Sequence, residues 1–138
     1  MKYKKQLSLD FDGVIHSYSS GCKGPRNIPD PPVAGAIEWI TSFIYSHCIL
    51  PESICAMQGP REWELNIFSS RSRHFGARTA MRKWLIKNGL DKKLLEVIKF
   101  PMFKPSSVVL LDDRAICFDG KFPSMDEIVK FRPWNKRK

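Results

Sequence analysis

The sequence contains no long hydrophobic run. None of its apolar stretches approaches the ~20 consecutive residues that a membrane-spanning helix needs. The first five residues include three lysines and lead directly into an apolar segment, without the hydrophobic core or cleavage site of a signal peptide. We therefore expect a cytoplasmic protein that has no membrane segment.

Cysteine is also scarce, and the four cysteines lie far apart with no Cys-x-x-Cys pair. They are Cys22, Cys48, Cys55 and Cys117. A disulfide framework is not expected in a cytoplasmic chain of this size. A zinc site that uses Cys22 or Cys48 with His16 or His47 is conceivable, but these spacings match no known ligand pattern. Free thiols are the prediction that we prefer.

Acidic residues are few relative to basic ones. The chain has 14 Asp and Glu against 23 Lys and Arg, which gives a formal net charge of +9. This excess favours a polyanionic partner or an anionic substrate, although solubility alone explains part of it. The hydrophobic content of 43% is ordinary for a globular chain, and 138 residues are enough for one domain but not for two.

Two of the acids that are present follow an apolar run. A run with Leu7 and Leu9 leads to Asp10 and Asp12, and Gly13 comes next. Two like charges at the end of a buried strand are unfavourable, and a divalent cation would remove that penalty. The glycine lets the backbone turn without a Cβ clash. Taken alone, this stretch is equally compatible with an ordinary Asp-Gly turn.

Strand patterns alternate with helix patterns along the chain. Strands are predicted at 6–11, 62–69, 96–100, 108–111 and 116–118, and helices at 33–46, 74–88 and 124–131. The intervening loops include 17–32 and 48–61, and the basic tail 132–138 is expected to fray. The alternation predicts a single α/β domain over residues 1–138, with a mostly parallel sheet and helices on both faces.

Ligands of parallel sheets bind outside the carboxyl ends of the strands. The polar residues at the predicted strand ends are Asp10, Asp12, Ser69, Ser70, Asp112 and Asp113, and Lys104 precedes the fourth strand. The topology is therefore expected to bring these residues together. Singly, each has an ordinary explanation, such as a turn, a helix cap or a solvated lysine.

These segments resemble, in order, the four motifs of the haloacid dehalogenase (HAD) superfamily, whose members are mostly Mg²⁺-dependent phosphatases. The matching segments are Asp10-Phe11-Asp12-Gly13, Ser69, Lys104-Pro105 and Leu110-Leu111-Asp112-Asp113. The segments 67–72 and 112–115 look like those of small HAD-like proteins, many of them encoded by phages. The resemblance implies a three-layer α/β/α Rossmann-like fold with about five strands. No stretch is long enough for a cap domain, so the loops 17–32 and 48–61 are the candidates to cover the site.

The resemblance also implies residue roles. Asp10 would be the nucleophile that forms an aspartyl-phosphate, and Asp12 the acid and base. Lys104 would counter negative charge, and Ser69 would donate a hydrogen bond to the phosphate, with Ser70 as the alternative. The Mg²⁺ ligands would be the carboxylate of Asp10, the backbone carbonyl of Asp12, and one of two acids, Asp113 first and Asp112 second.

The segment 71–93 is strongly basic, with eight Arg or Lys and one acid. A solvated helix face is the usual meaning of such a run. Phosphate-backbone attraction is the alternative, with Arg71 and Arg73 as substrate contacts. Together with the resemblance to the HAD superfamily, this implies a phosphomonoester hydrolase acting on a nucleotide or a nucleic-acid 3′-phosphate end. A nucleic-acid-binding module on a catalytically vestigial scaffold and a phosphotransferase remain alternatives.

Overall fold

The computed structural model describes residues 3–54 and 61–137. The strands are β1 (Lys5–Asp10), β2 (Trp63–Phe68), β3 (Ile98–Lys99) and β4 (Val109–Leu111). The α-helices are α1 (Ala36–His47), α2 (Ala77–Lys87) and α3 (Met125–Val129), and short 3₁₀ turns cover Ser70–Arg73, Lys92–Glu96 and Trp134–Lys136. Within these ranges, no helix combines the length and the apolar character needed to cross a membrane.

The four strands form one parallel sheet in the order β3-β2-β1-β4. In the register, Leu9 of β1 lies opposite Ile67 of β2 on one side and Leu111 of β4 on the other. This arrangement confirms the predicted α/β class. It also puts the carboxyl ends of β1, β2 and β4 side by side, because paired parallel strands point the same way.

One face of the sheet carries the apolar core. Leu7 and Leu9 of β1 share this face with Leu65 and Ile67 of β2, and all four side chains are buried. The helices add side chains spaced three or four residues apart, which are Ile37, Ile40 and Ile44 from α1 and Met81, Trp84 and Leu85 from α2. Burying a side chain of this kind stabilises the fold by roughly 1.5–3 kcal/mol.

The other face of β1 and β2 is polar. Asn66 donates a hydrogen bond to Gln6 over 3.1 Å, and the hydroxyls of Ser8 and Ser107 form a hydrogen bond. Ser107 belongs to the segment 100–108, which joins β3 to β4 without a helix. Helix α3 has no buried residue. Within the described residues, α1 and α2 are thus the α-helices that contribute to the core. The prediction of helices on both faces of the sheet is not confirmed.

The predicted fifth strand at 116–118 is wrong. These residues have no strand pairing, and Ile116 and Phe118 are 45% and 60% exposed. Only four residues separate them from Leu111, whereas a parallel neighbour for β4 would need a crossover of about a dozen residues. Strand β4 consequently lies at the edge of the sheet, with all three of its apolar side chains exposed.

Element boundaries also differ from the prediction. Helix α1 begins three residues later than predicted, because Gly35 has a φ of 81° that is incompatible with a right-handed helical turn. Helix α2 begins at Ala77 rather than His74, because Gly76, the residue before it, has a left-handed φ of 77°. Of the loop 48–61, residues 55–60 lie outside the described ranges.

Candidate active site

A cavity of about 460 Å³ opens at the carboxyl ends of the strands. Its lining combines acids, cations, hydroxyls and aromatic rings. It includes Asp10, Asp12, Tyr18, Ser69, Ser70, Arg73, Phe103, Lys104, Asp112 and Arg114. The strand-end residues predicted to converge therefore do so, with Asp113 next to Asp112 beside this cavity.

The chain turns tightly after β1. The carbonyl of Phe11 accepts hydrogen bonds from the N–H groups of Ile15 and His16, and the N–H of Gly13 donates to the carbonyl of His16 over 2.8 Å. Gly13 has a φ of 88°, and a Cβ there would overlap the Asp113 carboxylate. Glycine is thus required both by the backbone conformation and by the close approach of Asp113.

Three carboxylates converge at this turn. Oxygens of Asp10, Asp112 and Asp113 lie within 4.8 Å of one another. Burial raises the pKa of Asp10 to about 8, with further contributions from the Asp113 hydrogen bond and from the charges of Asp112, Asp113 and Asp12. The cluster is therefore electrostatically unfavourable when fully ionised and no cation is bound.

The donor set fits a hard divalent cation. All three side chains offer oxygen, which Mg²⁺ prefers over nitrogen or sulfur. The Oδ1 atom of Asp113 is buried without a hydrogen-bond partner, which a bound cation would provide. Asp112 is exposed, and its Oδ1 accepts the Arg114 N–H over 2.9 Å. Asp113 therefore has the freer oxygen, in keeping with its place as the first predicted ligand.

Asp12 is held by four donors. The Nε and Nη2 atoms of Arg71 donate to its two oxygens, each over 2.8 Å. The His16 Nδ1 lies 2.8 Å from Oδ1, and the Ser69 hydroxyl donates to Oδ2 over 3.1 Å. Burial acts to raise the pKa of Asp12, but the hydrogen bonds and charges of His16 and Arg71 outweigh it and lower that pKa. Asp12 is thus a fixed carboxylate at neutral pH.

Arg71 lies behind Asp12 and is not part of the cavity lining. It is 6% exposed, and its Nη1 reaches backbone carbonyls of the loop 17–32, at Pro25 and Asn27, over 3.2 Å each. The guanidinium therefore joins the turn after β1 to this loop and to the start of the 3₁₀ turn after β2. Its hydrogen bonds are with the protein itself, whereas the basic segment 71–93 predicts Arg71 as a substrate contact.

The two serines differ in exposure. Ser69 is 2% exposed, caps the 3₁₀ turn after β2, and donates a hydrogen bond from its hydroxyl to Asp12. Ser70 is exposed and lines the cavity, so the alternative phosphate donor has the freer side chain. Arg73 and Lys104 are also exposed cavity-lining cations. The exposed groups of the lining that could meet an anion thus include the hydroxyl of Ser70 and the cations of Arg73, Lys104 and Arg114.

Sequence reasoning missed the role of His16, which it considered only as a zinc ligand. The ring is fully buried, and its Nε2 accepts the backbone N–H of Asp30 over 3.2 Å. Nδ1 therefore carries a proton and donates it in the hydrogen bond to Asp12. Both nitrogens are occupied, so the ring has no position for zinc. The available signal is the spacing of four residues between Asp12 and His16 around a glycine turn.

The described residues hold no cluster of three or more metal-binding side chains apart from Asp10, Asp112 and Asp113. Cys22, Cys48 and Cys117 are free thiols, as predicted, and Cys55 lies outside the described ranges. Burial raises the pKa of Cys48 to about 12, so its thiol stays protonated.

The carboxyl-terminal segment is anchored to the site, which corrects the prediction that it frays. Trp134 Nε1 donates to the carbonyl of Gly13 over 2.7 Å, and Asn135 Nδ2 donates to the carbonyl of Ser17 over 3.2 Å. Both acceptors belong to the chain that follows β1. The tail therefore buttresses the turn that carries Asp12.

No family model, curated protein or solved structure matches this chain.

Proposed function

We propose that this chain is a cytoplasmic Mg²⁺-dependent phosphomonoester hydrolase of the HAD type. The observation that carries the proposal is the convergence of Asp10, Asp112 and Asp113 at a cavity that also exposes Ser70 and Lys104. An acidic cluster alone would suit many cations. A cluster faced by an exposed lysine and a hydroxyl suits a cation together with a phosphate.

Asp10 would act as the nucleophile. One of its carboxylate oxygens attacks phosphorus, the bond to the leaving oxygen breaks, and an aspartyl-phosphate forms on Asp10. The raised pKa of Asp10 means that it is protonated at neutral pH without metal. When bound, Mg²⁺ would stabilise the ionised carboxylates and the charge on the transferring phosphoryl group. This explains in physical terms why activity should require the cation.

Asp12 would act on water in the second half of the reaction. Its carboxylate accepts a proton from a water molecule that attacks phosphorus, the Asp10–phosphorus bond breaks, and inorganic phosphate leaves. Four donors keep Asp12 ionised, which suits this role as a base. Protonation of the leaving oxygen by Asp12 is correspondingly disfavoured, so esters of acidic alcohols should react fastest.

The open cavity would admit a large substrate. Tyr18, from the loop 17–32, and Phe103 form part of its wall, and Arg73 and Arg114 add positive charge. Aromatic rings beside cations suit a nucleotide or a nucleic-acid 3′-phosphate end. Sequence reasoning gave no weight to Tyr18, which is held at a φ of 57°, an unusual conformation for a residue other than glycine.

The test is phosphate release from para-nitrophenyl phosphate in the presence of Mg²⁺. We expect release that EDTA and Asp10→Asn both abolish. The matched control Asp91→Asn, which changes an exposed acid of the 3₁₀ turn before β3, should retain full activity. A panel of nucleotides and of 3′- and 5′-phosphorylated oligonucleotides then identifies the substrate. Absence of release across the whole panel from folded protein would refute the proposal.

A catalytically vestigial nucleic-acid-binding module is the second candidate. The observation that favours it is the full occupation of Asp12 by donors from the protein, which is also what a purely structural aspartate would show. Under this candidate, no member of the panel is hydrolysed, and oligonucleotide binding is unchanged in Asp10→Asn.

A further inference from the structure

A second basic feature lies at the carboxyl-terminal end. Four cations occur within eight residues, and no acid lies between them. Lys130, Arg132, Lys136 and Arg137 surround a depression of about 580 Å³, together with Phe131. We call these four cations the tail cluster. All four are exposed, so their charges face solvent.

Most of this charge is uncompensated. Lys130 pairs with Asp126 over 2.9 Å, and the Arg137 Nε donates to the backbone carbonyl of Arg132. Within the described ranges, Arg132, Lys136 and Arg137 form no ion pair with a carboxylate. Cations held close together repel one another, and an anion with several charges relieves that repulsion. The tail cluster therefore has the electrostatics of a polyanion site.

The tail cluster is fixed next to the candidate active site. Trp134 lies between its members in sequence, and its Nε1 is bonded to the carbonyl of Gly13. Gly13 immediately follows Asp12 and packs against Asp113. Trp134 therefore ties the tail segment to the turn that carries Asp12, a residue of the cavity lining.

An aromatic ring accompanies the charges. The Trp134 side chain is 49% exposed even though its indole N–H is bonded to Gly13. A half-exposed, anchored ring in the same short segment as four cations suits single-stranded nucleic acid, because bases stack on such rings while phosphates meet the cations. A lipid surface would use the charges but would not require a fixed ring.

We propose that the tail cluster and Trp134 form a binding surface for the backbone and bases of single-stranded nucleic acid. The position of this surface beside the cavity deepens the proposed function, because it selects a nucleic-acid end over a small phosphate ester. Binding itself does not depend on catalysis, so the two proposals can fail separately.

The test uses the full chain and a short fluorescein-labelled single-stranded DNA without terminal phosphates, which cannot be hydrolysed. Fluorescence anisotropy gives the affinity at several salt concentrations. The variant with Arg132→Gln, Lys136→Gln and Arg137→Gln removes three exposed cations. Each phosphate contact contributes roughly 0.7 to the slope of log affinity against log salt for single strands. We expect the slope to fall by about 2 and the affinity at low salt to fall by at least about tenfold.

The matched control removes the same charge from another basic surface. Lys83→Gln, Lys87→Gln and Lys92→Gln lie on or near α2, and all three lysines are exposed. We expect this control to keep its salt slope and its affinity within about twofold of the unchanged protein. The variant Trp134→Ala should weaken binding by about fivefold or more through loss of stacking, whereas Trp134→Phe should retain most of the affinity.

Three results would overturn the proposal. The first is DNA binding by the tail variant with an unchanged salt slope. The second is an equal loss of affinity in both charge variants, which would indicate that DNA is attracted to the net positive charge of the protein and not to one surface. Tail-dependent binding to phosphatidylserine vesicles without binding to DNA would assign the surface to membranes instead. Circular dichroism and thermal melting of each variant establish that a loss of binding is not a loss of folding.

Discussion

Replacing Asp10 by Asn should make the metal-free protein more stable at pH 8, although it removes the proposed nucleophile. The folded state raises the pKa of Asp10 from 3.8 to about 8, chiefly because the carboxyl is buried and then because of its acidic neighbours. An asparagine of the same shape cannot ionise. It therefore avoids the repulsion that the ionised carboxylate meets.

The sign of the effect follows from proton binding. Between about pH 4 and pH 8, folded Asp10 retains a proton that the unfolded chain releases. Its stabilising contribution is therefore complete at pH 4 and is lost as the pH rises towards 8. One pKa unit corresponds to about 1.4 kcal/mol, so the loss amounts to about 2–5 kcal/mol across this range.

Urea denaturation followed by far-ultraviolet circular dichroism measures this difference. We expect the free energy of unfolding of the unchanged protein in EDTA to fall from pH 5 to pH 8 by about 2–5 kcal/mol relative to Asp10→Asn. Subtracting the variant removes the titration of groups that both proteins share. Adding Mg²⁺ at pH 8 should restore stability to the unchanged protein and do much less for the variant. If the two proteins show the same pH dependence in EDTA, the inferred repulsion within the acidic cluster is wrong.

Other substitutions test the contacts around the turn. Arg71→Ala leaves Asp12 buried without its main partner and should destabilise the fold by about 3–5 kcal/mol in urea denaturation, whereas removing both side chains should be less than additive. Because its pKa is lowered, Asp12 stabilises the fold above about pH 4, and this contribution should disappear as the pH falls through its folded pKa. The free energy of unfolding, measured against pH for the unchanged protein and for Asp12→Asn, checks this difference. Gly13→Ala should displace Asp113 and lower Mg²⁺ affinity in isothermal titration calorimetry, and an unchanged affinity would remove Asp113 from the ligand set. Trp134→Phe loses the hydrogen bond to Gly13 and should lower the free energy of unfolding by about 0.5–1.5 kcal/mol. An unchanged free energy of unfolding would show that this bond does not anchor the tail.

The convergence of Asp10 with Asp112 could be predicted from sequence because it follows from topology alone. Parallel strands align their carboxyl ends, so residues about a hundred positions apart meet without any knowledge of side-chain packing. The α/β class was predictable for the same reason, since the alternation of strand and helix patterns is a local property of the chain.

The partners of Asp12 could not be predicted in this way. Arg71 is 59 residues away, and its direction depends on the 3₁₀ turn that starts at Ser70, which has no apolar periodicity. The sequence pattern does not determine whether the Arg71 side chain faces a ligand or the protein. The apolar residues at 116–118 favour a strand, but only four residues separate them from β4, which is too few for a parallel crossover.

The exposed edge of the sheet gives Asp112 and Asp113 a second effect. Strand β4 presents unpaired backbone groups and three apolar side chains to solvent, which is the type of edge that invites pairing with another chain. The two aspartates place negative charge directly at the end of that strand, and charge at a sheet edge opposes such pairing. Neutral substitutions at Asp112 or Asp113 therefore change colloidal behaviour together with cation affinity. Light scattering should accompany every activity measurement on these variants, so that lost activity is not mistaken for lost metal binding when it comes from aggregation.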